Sequence, residues 1–182
     1  MEQIQPSVTQ QDIVCADVTA GPGALVVFGA SGDLTRRKLL VSLFELFRRD
    51  LLDKRFYLLG VGRKPLSDEQ FRLIAEQAIQ ENKPDASTDA AKSFLSRLYY
   101  LSGQHNDASF YESMKMRLAE LDTAHNVDGN HIYYLAVPPF LYGTIVEQLH
   151  QADLAHCQEP TGNRKVRLVV EKPFGRDLKS AV

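Results

Sequence analysis

The chain has 182 residues, 44% of them hydrophobic and 24% charged, with a formal net charge of -2. That balance supports one globular domain with its own core, and it excludes an extended disordered chain and any basic field able to hold nucleic acid or an anionic membrane surface. Cys15 and Cys157 lack the spacing of a disulfide framework or zinc site, no apolar run approaches a membrane span, and Met1 to Ala20 carries neither region of a signal peptide, so a cytoplasmic chain is expected.

Residues 1–22 are polar and small and end at Gly21-Pro22-Gly23, which predicts a mobile tail ahead of a domain over 23–182. From Ala24 on, short apolar runs alternate with longer amphipathic stretches, the pattern of βαβ units. Strands are predicted at Ala24–Phe28, Phe56–Val61, Leu98–Leu101, Ile132–Val137 and Val166–Val170. Helices are predicted at Leu34–Asp50, Ser67–Glu81, Ser87–Arg97, Ala108–Ala124 and Phe140–Leu154. In the first helix Leu39, Leu40, Leu43, Phe44, Leu46 and Phe47 recur at spacings of three and four, so one face is core. Ser67 with Gln70 three residues on reads as a capping box. The fold class is α/β: a Rossmann-type, doubly wound parallel sheet with helices on both faces and strand order 3-2-1-4-5, the least contorted arrangement for right-handed crossovers.

The first strand runs straight into Gly29-Ala30-Ser31-Gly32-Asp33-Leu34-Thr35-Arg36 and then a helix, the context a dinucleotide fingerprint requires. Gly29 permits the tight turn, and Gly32 omits a Cβ that would hold a pyrophosphate away from the backbone amides and helix N-terminus. Thr35 stands where a small residue normally lets helix and strand approach, an imperfect fit. Asp33 is favoured at a helix start by the dipole alone, a simpler account than a catalytic role.

After the second strand come Arg63 and Lys64, with no acid before Asp68. A carboxylate there would accept the ribose hydroxyls of NAD, whereas a guanidinium suits a 2′-phosphate, so NADP is the expected cofactor. Lys64 reads equally well as a solvated loop residue. Lys172 closes the last strand, where open α/β sheets bind ligands, and Pro173 constrains how it leaves the sheet.

Three stretches together resemble the glucose-6-phosphate 1-dehydrogenase family: Gly29 to Leu34 with Arg37-Lys38-Leu39, then Tyr134-Leu135-Ala136-Val137-Pro138-Pro139, then Glu171-Lys172-Pro173-Phe174-Gly175-Arg176-Asp177. The resemblance implies that Gly29, Ala30, Ser31, Gly32, Asp33, Leu34, Thr35 and Arg36 wrap the pyrophosphate and that Arg63 holds the 2′-phosphate of NADP. It places Tyr142 near the nicotinamide and makes Lys172 a bridge between cofactor and sugar phosphate. Packing on the helix after Pro138-Pro139 is an equal account of Tyr142, and Gln104 is a weaker candidate to approach the adenosine half. His105, His125, His131, His150 and His156 fall in no family motif and read as surface or strand-end residues.

The activity implied is oxidation of glucose 6-phosphate to 6-phosphogluconolactone with NADP, in the pentose phosphate pathway. The family's base is a histidine in a motif beginning Arg-Ile-Asp-His-Tyr, which does not occur in these 182 residues. No catalytic residue is therefore assigned, and the chain alone is expected to bind NADP weakly without turnover, with the family's substrate and dimerisation domain missing. A complementing C-terminal half or a second copy is the expected partner. Two alternatives stay open: another sugar dehydrogenase with Glu-Lys-Pro after a Rossmann strand, as in the glucose–fructose oxidoreductase and inositol dehydrogenase group, and a non-catalytic NADP- or partner-binding module.

Overall fold

The computed structural model describes residues 20–84, 88–155 and 166–172. Most of the predicted tail, both cysteines, His156 and the stretch Pro173–Asp177 lie outside the described residues.

Five strands, β1 (Ala24–Phe28), β2 (Tyr57–Gly62), β3 (Leu98–Ser102), β4 (His131–Leu135) and β5 (Val166–Val170), form one sheet in the order β3-β2-β1-β4-β5. Every pairing is parallel, with Ala24 opposite both Tyr57 and His131. The helices are α1 (Leu40–Arg48), α2 (Asp68–Asn82), α3 (Thr88–Leu95), α4 (Ala108–His125) and α5 (Tyr142–Gln151). All five residues of β1 are buried, as a central parallel strand covered on both faces must be. Leu25 and Val27 pack with Leu40 and Phe44 of α1, Phe71 of α2 and Phe94 of α3. Val26 and Phe28 join Tyr111, Met114 and Leu118 of α4 and Ile145 and Leu149 of α5 on the other face. The predicted class and strand order are those observed.

Boundaries differ where side chains or turns intervene. The helix predicted over Leu34–Asp50 opens as a π-helical turn, Thr35–Leu39, in which the Leu40 amide reaches back to the Thr35 carbonyl. It ends at Arg48, short of the predicted Asp50, which lies in the left-handed region at φ 55°, with the Leu51 amide donating to the Leu46 carbonyl at 2.9 Å. β2 starts one residue late because the Phe56 amide is held in a turn by the Asp53 carbonyl at 2.9 Å. β4 stops at Leu135, short of the predicted Val137, as Pro138 approaches and the chain enters the 3-10 turn Pro139–Leu141 ahead of α5. The capping box is present: the Gln70 amide donates to Ser67 Oγ at 3.2 Å and the Ser67 amide to Gln70 Oε1 at 2.9 Å.

The β5 edge is the thinly covered part of the sheet. Leu168 and Val169 are 46% and 38% exposed, and Phe140, in the turn after β4, is 81% exposed. No helix of the described residues is long and apolar enough to cross a membrane.

Candidate nucleotide site at the strand ends

The loops leaving β1, β2, β3 and β4 converge at the C-terminal edge of the sheet around a cleft of about 560 Å³. It lies where the strand order reverses between β1 and β4, the place where an open α/β sheet has room for a ligand.

Gly29 makes the first turn, at φ 83°, and a Cβ there would lie 2.2 Å from the Ala136 carbonyl oxygen. Only glycine lets the β1 loop lie against the β4 loop. The Gly29 and Ala30 amides both donate to the Val61 carbonyl, at 2.8 and 3.0 Å, and the Gly32 amide donates to Gly29 O at 2.9 Å. Those three donors hold the turn rather than a ligand. The amides at the opening of the helix, from Asp33 to Thr35, have no intrahelical partner by geometry and are the ones oriented for an anion. Gly32 lines the cleft, and its missing Cβ keeps that approach clear.

Ala30 is fully buried and acts through its size: its Cβ would be 2.9 Å from a Cβ on Gly60, so turn and β2 meet closely. Ser31 lines the cleft beside Gly62. Thr35, expected to fit poorly, is fully buried and donates its hydroxyl to Gly29 O at 3.3 Å. The extra atoms thus join helix to turn. Asp33 is exposed and pairs with Arg37 at 3.6 Å, as its place in a first helical turn requires. Leu34 is 43% exposed. Arg36 points away from the cleft, its guanidinium on both carboxylate oxygens of Glu81 at 3.0 and 3.2 Å.

Arg63 and Lys64 line the cleft from the β2 side. Both are exposed, and Arg63 makes no ion pair with any described residue. Asp68, the nearest acid after them, faces elsewhere: Oδ1 accepts the Tyr100 amide at 2.7 Å and Oδ2 the Arg117 guanidinium at 3.0 Å. Gln104 lines the same cleft from the β3 loop.

His105 was not expected here. It is 6% exposed, lines the cleft, and its ring lies 5.9 Å from the Phe28 ring. Its carbonyl accepts the Tyr111 hydroxyl at 2.9 Å, while Nδ1 is buried without a partner. Burial holds the imidazole below its ordinary value, and the Arg63 charge lowers it further. The reading of His105 as a surface residue is therefore corrected. Gly103 causes the inward turn: its amide donates to Gly62 O at 3.0 Å, and it packs so close to the Phe110 ring that a Cβ would overlap it. His131 is buried too, at the start of β4 and the opposite end of the sheet, where Nε2 meets Asp122 Oδ2 at 3.0 Å.

Tyr142 opens α5, packs against the core and donates its hydroxyl to the Glu171 carbonyl at 3.4 Å. It touches the end of β5 and does not line the cleft. Tyr134, from β4, donates to the Glu171 carboxylate. Burial first, and that carboxylate second, push the Tyr134 phenol up to about 12. Two tyrosines thus brace Glu171, immediately before Lys172, a contact whose sequence signal was only that Tyr134 and Glu171 fall in family-like stretches. Lys172 is exposed, two residues beyond the β5 residue that pairs with Leu135.

A parallel sheet of this order, with a glycine turn running from its central strand into a helix and a cationic loop on the next strand, defines a Rossmann-type nucleotide-binding domain. The family model described as "Glucose-6-phosphate dehydrogenase, NAD binding domain" matches residues 26–182, and the chain belongs to that family. It is 40% identical over 165 residues to a glucose-6-phosphate 1-dehydrogenase of Treponema pallidum, covering 90% of this chain and 31% of the relative. To the Aggregatibacter actinomycetemcomitans enzyme of that name it is 41% identical over 157 residues, or 86% of this chain and 31% of the relative. A solved glucose-6-phosphate dehydrogenase in complex with its substrate glucose-6-phosphate superposes with a TM-score of 0.77 at 29% identity, over 91% of this chain and 33% of that one. The Mycobacterium avium enzyme gives 0.74 at 32% identity, over 88% and 31%. The chain spans about a third of the length of these relatives.

Proposed function

We propose that this chain is the NADP-holding part of an oxidoreductase that oxidises glucose 6-phosphate at C1 to the lactone. The observation that carries the choice of NADP is Arg63, lining the cleft without a carboxylate partner while Asp68 is engaged by Tyr100 and Arg117. An NAD site needs an acid where this chain presents a guanidinium.

The cradle fits such a cofactor, because glycine at position 29 lets the turn close against the β4 loop and glycine at position 32 puts no side chain at the mouth of the cleft. The helix-opening amides from Asp33 to Thr35 would take the pyrophosphate, with Thr35 holding the turn in place. Ser31 and Gln104 line the path of the adenosine half. Lys172 would pair with the sugar phosphate and Tyr142 would support the nicotinamide end through Glu171. Bound nicotinamide supplies the hydride acceptor.

Proton removal from the C1 hydroxyl needs a base, and the family's Arg-Ile-Asp-His-Tyr motif, which carries one, does not occur in these 182 residues. His131 is engaged with Asp122 at the far end of the sheet, and His125 bonds Tyr99 Oη at 2.8 Å. Loss of general base catalysis alone is worth about two to four orders of magnitude. These 182 residues by themselves should therefore bind cofactor without turning over glucose 6-phosphate. The exposed Leu168, Val169 and Phe140 support a partner at the β5 edge, either a complementing half or a second copy.

Calorimetric titration with NADP and with NAD tests the cofactor reading. Arg63→Ala should weaken NADP by roughly 30-fold, from about 2 kcal/mol of charge-assisted hydrogen bonding, and leave NAD nearly unchanged. Equal losses for both would overturn it, and turnover by the purified chain alone would overturn the absence of a base.

A further inference from the structure

One ionisable group in the cleft takes no part in the cradle or in pairing with a described side chain. His105 is almost wholly buried at the β3 end of the cleft, an ionisable ring with an unpartnered nitrogen. A buried polar atom left without a partner costs about 1–3 kcal/mol, so a role for it in the bound state accounts for its retention better than packing alone.

The surroundings specify which ligand group it answers. On the β2 loop, Arg63 and Lys64 face the same cleft, and both are cations. On β1, Phe28 offers only its ring and the following turn offers the Ser31 hydroxyl. On α4, the Tyr111 hydroxyl is already donated to the His105 carbonyl, and burial pushes that phenol up, so it stays neutral. Asp107, in the same loop, is turned to α4, where Oδ1 accepts the Ser109 amide at 2.9 Å and hydroxyl at 2.8 Å. From the β4 loop come Ala136, Val137, Pro138 and Leu141, none ionisable. No anion among the described residues faces the ring, and the nearest charges are cations. A second positive charge becomes favourable there only when an anion enters.

We propose that His105 acts with Arg63 as a proton-linked reader of the cofactor's 2′-phosphate: NADP binding draws a proton from solvent onto the His105 ring, and NAD binding does not. The inference rests on the assignment of the 2′-phosphate to Arg63. Before binding, the neutral ring avoids repulsion with Arg63. A dianionic phosphate on Arg63 cancels that charge and so favours the imidazolium across the shared cleft. No covalent bond changes, and the proton comes from buffer. Each unit by which binding raises the ring's affinity for protons makes NADP binding about tenfold tighter below the titration than above it.

The test is isothermal titration of the whole 182-residue chain at pH 7.5 with NADP and NAD, in buffers of differing ionisation enthalpy, which counts protons taken up. The 2′-phosphate has its own ionisation near pH 6, so the comparison is between wild type and His105→Phe, which keeps a ring against Phe28 but cannot titrate. Wild type should take up a fraction of a proton with NADP and none with NAD, and His105→Phe should lose that uptake. Uptake unchanged in the variant overturns the proposal, as does equal uptake for NADP and NAD. If the variant does not fold, the imidazole nitrogen shifts of wild-type His105 decide: they should move from neutral ring to imidazolium on adding NADP, and an unmoved ring overturns the proposal. Failure of NADP to bind, or NADP binding no tighter than NAD with or without Arg63, instead removes the cofactor reading beneath it.

Discussion

Gly29→Ala should unfold this domain at markedly lower denaturant, while Gly32→Ala should leave stability nearly intact and impair nucleotide binding. The two glycines share one motif but meet different surroundings. At Gly29 the backbone is left-handed, which costs an L-residue about 1–2 kcal/mol, and the new Cβ would stand 2.2 Å from Ala136 O. Relieving that overlap means moving the β1 turn from the β4 loop by roughly 1 Å, which endangers the Ala136 amide's bond to Phe28 O, worth about 1 kcal/mol. The sum is about 3 kcal/mol, out of the roughly 5–15 that hold a domain of this size. With a urea slope of about 2 kcal/mol per molar, the midpoint falls by roughly 1.5 M. At Gly32 the backbone is not left-handed and the nearest atom is Gly29 O at 3.0 Å, so the stability change should stay within about 1 kcal/mol. Equilibrium urea unfolding followed by circular dichroism reads the first effect and NADP titration the second. Equal stability losses in the two variants would refute the distinction between a turn glycine and a cleft glycine.

Asp122→Ala should cost about 3 kcal/mol in the same unfolding assay, because it strands the buried Tyr57 hydroxyl, 2.6 Å from Asp122 Oδ1, together with His131; a loss below about 1 kcal/mol would show that network to be slack. Ser67→Ala removes half of the capping box and should cost about 1 kcal/mol, with the loss absent if Ser67 is replaced by Asp. His105 and His125 are both held below the ordinary 6.5 by burial, with Arg63 and Arg97 adding to it, so the folded state binds protons less readily than the unfolded chain. Their contribution to stability is therefore complete above pH 6.5 and is lost as pH falls below it. Unfolding midpoints compared across that range should decline less in His105→Phe than in wild type, and identical declines would count against burial as the cause.

The class of fold and the strand order were legible because parallel strands buried on both faces read as unbroken apolar runs, and the helices between them keep an apolar stripe. The glycine turn was legible from its place after Phe28. The roles within it were not, since the use of the Gly29 and Ala30 amides by Val61 depends on β2 lying alongside, a contact between segments thirty residues apart. Thr35 was misjudged by size alone: its hydroxyl finds an acceptor that only the folded turn presents. His105 was missed because nothing local marks it. Its burial comes from Gly103, which draws the loop onto the Phe110 ring and Gly62. Arg36 shows the converse, a residue inside the motif whose side chain is carried off to Glu81 by the orientation of the helix.

The doubly engaged Val61 carbonyl has a consequence for how a ligand is measured. It ties the β1 turn to β2 two residues before Arg63, so the backbones of the glycine turn and of the cationic loop hang from one shared atom. The separation of the two backbones behaves as a fixed gauge, set when the chain folds, and the ordering a nucleotide would still impose falls on the exposed Arg63 side chain. By the same logic, exchanging residues 63–65 should change which ribose is preferred while the turn stays in place, provided Val61 and Gly62 keep their backbone positions.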